Sequence, residues 1–431
     1  MKHPASCEFT SRRQSGVATL VVVMSLFLLI GLLAAFGNRN LLFEQRMAGA
    51  TFRSMLVKQM GDAALDWSIA QLNSDKLDSA CAPSNTVSAK RFSDLYFDID
   101  TNSRKIVAKE RTLSDALGPT NCVRLSDGRW DCRCPAASDA TARAAVSSAD
   151  EIQPSFGVFL QTTQRPGTLV SSSYSCSSPN GNDCESTIKA TVNRFNSGWQ
   201  GSVLGFVPAL RSPPTAALTA KGAIVATDGD LRLHNSDGLT NGILVVSGSA
   251  SYPSSLTDSK LESIPGTPPR DAIVTGDSVL AAGDPFRLFI GMPSDRFKYH
   301  PKVRKPDCTP DCVSSIKTAV SFGASIIYVD GNLSIDSDVD LGTINDPVLI
   351  AASGTINISA RLQMYGVLLS GGNIIWNAGA GGFLVGALIS GADVTTTGPI
   401  DIAYSSGVNL IMKNKIGGFV LAPGGWHDHK Y

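Results

Sequence analysis

From Val17 to Phe36 the chain reads VATLVVVMSLFLLIGLLAAF, twenty residues without a charge. As a helix this run is about 30 Å long, the thickness of a bilayer's hydrocarbon core. A buried helix of a soluble domain would carry polar residues along one face, so a membrane segment is the preferred reading. No second run of this kind occurs, so the chain crosses a bilayer once at most. Ahead of it lies MKHPASCEFTSRRQSG, where Lys2, Arg12 and Arg13 stand against Glu8. The positive-inside rule keeps this leader cytoplasmic and sends the body across.

The body is long enough for two or three domains, at roughly 100–200 residues each. Its 37 basic and 37 acidic residues balance, which removes the basic excess a nucleic-acid binder needs. Apolar residues make up 43 % and aromatics only 7 %, with 40 Gly and 22 Pro. That mix points to a β-rich body with many turns rather than a helical bundle or a disordered chain.

Three kinds of processing fit the leader. A secretory signal would have a shorter apolar core and a small-x-small site, for which Ala35-Phe36-Gly37 is a weak match. A twin-arginine signal would share Arg12-Arg13, but the residues that follow are wrong for it. A prepilin-type leader is short, polar and basic, then ends in Gly directly before the apolar helix, as Gly16 stands before Val17. Past the run, Leu41-Leu42-x-Glu44-x-Arg46-Met47-Ala48-Gly49 and the Ala-rich stretch through Ala63-Ala64 complete a pattern of about sixty residues. This region resembles the N-terminus of PilX-type minor pilins of type IV pili. The resemblance implies cleavage of Gly16–Val17 by a prepilin peptidase and methylation of the new N-terminus. It also implies other minor pilins, the major pilin and a pilus-tip adhesin as partners. It places the chain in a bacterial inner membrane with its body in the periplasm, and in the extracellular pilus after assembly.

Major pilins carry Glu at the fifth mature position, where this chain has Val21. A carboxylate in an apolar helix demands a partner, the amino terminus of a neighbouring subunit. Val21 lifts that demand, which hints at a tip or initiating position; a generic apolar residue is the plain alternative. Beyond the bilayer, Phe52, Leu56, Met60, Ala63, Trp67 and Ala70 recur at helical spacing, extending one helix over 17–73.

Cys7 lies in the leader, and its removal leaves eight cysteines, enough for four disulfides in an oxidising compartment. The short loops Cys308–Cys312 and Cys176–Cys184 invite internal pairs, while Cys81, Cys122, Cys132 and Cys134 stay open among several connectivities. Zinc is disfavoured because no His stands near Cys122, Cys132 or Cys134 and the spacing is not that of a knuckle. Within 74–210 the segments 91–100, 105–108, 156–163 and 186–195 read as strands, and 136–150 as a linker or exposed helix.

After Arg211-Ser-Pro-Pro, short apolar runs precede glycine turns at Gly229, Gly331, Gly354, Gly372 and Gly391, the last four 23, 18 and 19 residues apart. Stacked coils of a β-solenoid produce such a period, with glycine at corners of positive φ; an antiparallel meander is the alternative. The segment 316–322 reads as a short helix ahead of the repeats. The expected fold is α+β: leader 1–16, helix 17–73 with its first half in the membrane, a disulfide-linked mixed region 74–210, a β-rich body 211–425 and a tail 426–431. By a looser likeness, residues 284–293, the Cys308/Cys312 pair and the glycine repeats resemble an extended class of PilX-type proteins.

Catalysis finds little support. A solenoid lyase or hydrolase needs clustered carboxylates or a carboxylate beside Arg or Lys. Asp336, Asp338 and Asp340 alternate as if on one strand face, with Arg361 isolated. They suggest calcium, but the loop lacks the Gly and Glu of a calcium loop, as does 98–109, so a plain solvated turn is preferred and no cofactor is expected. His427-x-His429 reads as a frayed tail rather than a metal site. No nucleophile-elbow or P-loop pattern occurs, so the chain is read as non-enzymatic. Two other functions remain open: a K-type pseudopilin of type II secretion, which shares the missing fifth-position Glu, and a membrane-anchored or pilus-tip adhesin.

Overall fold

The computed structural model describes residues 17–109, 120–125, 127–134, 154–176, 197–309, 311–377, 379 and 381–427. One continuous helix, Val17–Leu72, opens the chain. At 56 residues it is about 84 Å long. It is the one described helix long and apolar enough to cross a membrane, by length and composition.

The far half of this helix lies on a six-stranded sheet. In spatial order its strands are Gly417–His427, Ser197–Pro208, Thr168–Cys176, Ser155–Thr162, Thr120–Arg124 and Trp130–Arg133, all antiparallel. A small hairpin, Phe97–Ile99 with Ile106–Ala108, flanks it. The sequence pattern over 91–100 predicts a strand, but Phe92–Tyr96 forms a helical turn. Phe92 and Leu95 stand three apart, so a helical turn buries both, and only Phe97–Ile99 is extended. The predicted strand 186–195 and linker 136–150 lie outside the described residues, as does the leader with Cys7 and Gly16.

The second body is built from parallel strands. Ile326–Val329, Val348–Ala352, Leu362–Ser370 and Gly382–Ser390 pair side by side in one sheet, in parallel register. Leu333–Ile335, Ile356–Ile358, Ile374–Asn377 and Val394–Thr397 do the same in a second. Each level of the stack thus contributes to both sheets, Val339–Leu341 also pairing with the start of Leu362–Ser370, and the pairing is not that of an antiparallel meander. In the first sheet Ile326–Val329 and Val348–Ala352 are apolar and buried at every position, because both faces are covered there. Leu368 and Ile350 point into the stack; Leu349 and Val367 pack outward beneath Phe286, Ile290, Phe297 and Met412. The second sheet alternates buried and exposed, as in Ile356–Ile358, because its outer face meets water.

Sequence order and spatial order differ. Leu218–Ala220 pairs with Gly382–Ser390, Ile224–Ala226 with Val394–Thr397, and Leu231–His234 with Ile400–Tyr404. The first level is therefore laid against the last. The chain adds two further levels outward, first Val245–Ser247 and Leu261–Glu262, then Ile273–Val274 beside Val245–Ser247. It then crosses to the opposite end, at Val303–Arg304 and Ile326–Val329, and builds back to where it began. The helix Cys312–Ser321 covers that end, in place of the shorter 316–322 expected. After Ser406–Asn414, the strand Gly417–His427 leaves the stack and joins the antiparallel sheet. The body thus does not run to 425, and Trp426 and His427 are paired with Ser202 and Gly201 rather than frayed. His429 lies outside the described residues.

Candidate functional site: the helix, its clamp and the joint

The membrane-proximal half of the long helix touches nothing else in the described chain. Val17 is 74 % exposed, Val21 59 % and Phe36 60 %, and the exposure continues through Phe43 and Met47 to Met55. Such a row of large apolar side chains in water calls for lipid or other helices. Burial begins at Val57 and follows Met60, Gly61, Ala64, Leu65, Ser68 and Leu72. The buried stripe is rotated from the one the sequence predicts: Phe52 and Ala70 are exposed, while Gly61 and Ser68 are inside.

The reason is the surface that the helix meets. Beside Phe156 and Val158, which pack near Ala64, the sheet presents serines that bond to the helix. Ser175 Oγ donates to the Val57 carbonyl at 2.7 Å and Ser173 Oγ to that of Gly61 at 3.1 Å. Gln200 Nε2 donates to the Lys58 carbonyl at 3.1 Å, and the Ser68 and Ser171 hydroxyls share a bond of 2.7 Å. Helix and sheet meet closely enough that a Cβ at Gly61 would stand 2.5 Å from Gln200 Oε1. Trp67 closes the clamp, 5.7 Å from the Phe92 ring and 5.8 Å from that of Phe156.

Two disulfides tie down the same region. Cys81 joins Cys134, and Cys122 joins Cys132 across neighbouring strands. Cys308 joins Cys312 at the start of the helix over the end of the stack. Cys176 ends its strand, and Cys184 lies outside the described residues.

A polar joint ties the helix end to the coil stack. The Asn73 amide donates to the Ile69 and Phe419 carbonyls, and its oxygen accepts from the Phe419 N–H. Asn73 thus stands where a further strand would pair with Gly417–His427. Arg304 pairs with Asp75 at 2.7 Å and donates to the Asn73 carbonyl. Arg91 reaches the Gly323 carbonyl and Asp346. Two buried bases complete the joint. Burial holds His300 well below its usual range, at about 4; the Val207 carbonyl opposes the shift and Lys302 adds to it. The neutral ring fits its contacts, with Nε2 toward the Val207 carbonyl and Nδ1 accepting from the Lys302 N–H. Burial, aided by Arg91, lowers Lys302 to about 7, against the pull of Asp75. Lys302 Nζ donates to the Ser74 carbonyl. Sequence reasoning missed this joint because Lys-Tyr-His-Pro-Lys-Val-Arg-Lys looks like an exposed polar segment.

The acidic residues do not gather. Asp336 lies between strands, while Asp338 and Asp340 both face Arg361, at 3.5 and 3.6 Å. Arg361 is thus their counter-charge rather than isolated. Among the described residues no group of three His, Cys, Asp or Glu is placed to hold a metal ion. Asp230 pairs with Lys260, and Asp98 with Lys109. Asp228 accepts from the Gly398 N–H, which holds its carboxyl below the usual range.

No protein-family model and no curated protein matches this chain. Among solved structures it is similar to the competence-associated pilin ComZ from Thermus thermophilus, at 9 % identity over 88 % of this chain and 98 % of that one. The TM-score is 0.21, too low to establish a shared fold.

Proposed function

We propose that this chain is a minor pilin of the type IV pilus, PilX-like, that promotes fibre assembly at or near the tip. The observation that carries this reading is the division of the long helix. Its far part is clamped by Ser171, Ser173, Ser175 and Gln200, while the run Val17–Phe36 is apolar and the exposure of large apolar side chains continues to Met55. A helix of this kind rests in the inner membrane first and is then drawn into a bundle of like helices, so its work is mechanical and non-enzymatic. Processing at Gly16–Val17 by a prepilin peptidase precedes that step. Val21 needs no neighbouring amino terminus, which suits the first subunit of a fibre, with no helix ahead of it. The coil stack would then project at the tip, and other minor pilins and the major pilin would follow below. The test is deletion of the gene and return of the wild-type copy. Loss and recovery of surface pili support the proposal. Normal pili with lost secretion would favour the pseudopilin reading, and normal pili with lost attachment an adhesin.

A further inference from the structure

The joint between the helix and the coil stack encloses a cavity of about 550 Å³. That is within the range of small-molecule sites, about 300–1,000 Å³. Its walls include Phe97, Phe206 and Phe419, and five cationic side chains line it against three carboxylates. Arg91 is already paired with Asp346, and Lys109 with Asp98. Lys302 is different. It lines the cavity, is only 5 % exposed, and among the described residues its ammonium has the Ser74 carbonyl as acceptor and no carboxylate within ion-pair distance. An ammonium has three N–H donors, and a buried charge without a counter-ion is costly. Lys90 and Lys415 are exposed at the rim, so the positive field extends to solvent.

We propose that this cavity binds a small organic anion, its carboxylate on Lys302 and its apolar body against Phe97, Phe206 and Phe419. The cavity shape gives the apolar part and the unpaired ammonium gives the charge. The state of Lys302 supplies an independent sign. Burial and the nearby Arg91 and Arg304 lower its pKa to about 7, while Asp75 and Asp94 oppose them. A carboxylate placed beside it favours the charged form, so binding near pH 8 draws a proton from solution.

The test uses the full mature chain in lipid nanodiscs, with empty nanodiscs as blank and 3-phenylpropionate as probe. Calorimetry at pH 8 in two buffers of different ionisation heat gives affinity and proton uptake together. The expected result is saturable binding with proton uptake, and binding at least about tenfold weaker for 3-phenylpropan-1-ol and for inorganic phosphate. Lys302→Met weakens phenylpropionate by a similar factor and removes the proton uptake. Lys302→Arg keeps the binding without the uptake, which separates a lost contact from a lost fold. Heat no greater than the blank, equal affinity for the alcohol, or unchanged affinity in Lys302→Met overturns the proposal.

Discussion

Gly366 and Gly386 sit in register on adjacent levels of the stack, at φ of 148° and 141°. A Cβ on Gly386 would run into the Gly366 carbonyl, and one on Gly366 into that of Val348. Gly386→Ala should therefore cost about 2–3 kcal/mol from strain and clash, read as a lower urea midpoint at unchanged slope. The corner glycines of the repeat are visible in the sequence, but their reasons differ. Gly229 and Gly331 have positive φ, whereas Gly354 and Gly391 are needed because the neighbouring level passes too close for a side chain. His300 offers a second test. Its folded pKa, about 4, lies below its unfolded value near 6.5, so the unfolded chain binds more protons between them. Stability is full above pH 6.5 and falls by roughly 3 kcal/mol as pH drops from 6.5 toward 4. Asp100, Asp127 and Asp311 are also shifted down, but they titrate below that window. His300→Gln should flatten the wild-type melting temperature between pH 6.5 and 4.5; an unchanged slope would contradict this assignment.

The long helix is legible in the sequence because an apolar run followed by a spaced stripe leaves few other choices. The phase of the stripe is not, because the contact surface is built from Ser171, Ser173 and Ser175 with Gly61, residues that hydropathy scores as neutral. The strand Gly417–His427 straddles the boundary drawn between body and tail, and its partner Ser197–Pro208 lies some two hundred residues earlier. No local signal names so distant a neighbour. Disulfide pairing is hidden in the same way. The Cys81–Cys134 bridge spans 53 residues, and by chain entropy closing such a loop contributes about 4 kcal/mol. Cys81→Ser with Cys134→Ser should lower the stability of the helix-and-sheet part by about that amount, measured as faster proteolysis near the Lys76–Leu77 strand. The Cys308–Cys312 bridge closes four residues, so its loss should be felt less.

At the scale of the whole molecule, two architectures meet at one joint: a helix on an antiparallel sheet, and a parallel stack whose first and last levels touch. The glycine period makes the stack readable, since each level repeats the same turn. Its closure is not readable, because Leu218–Ala220 meets Gly382–Ser390 only after the whole body has been laid down. The strand that leaves the stack and Arg304, Asn73 and Arg91 then fix its position on the helix. On the proposed reading, a head on a half-bare helix suits a subunit that is pulled from a membrane into a fibre. The most direct measurement is the mass of the mature N-terminus, in cells with and without prepilin peptidase. The account predicts a chain that begins at methylated Val17 only when the peptidase is present. An uncut leader in both strains, or a cut near Gly37, would contradict it.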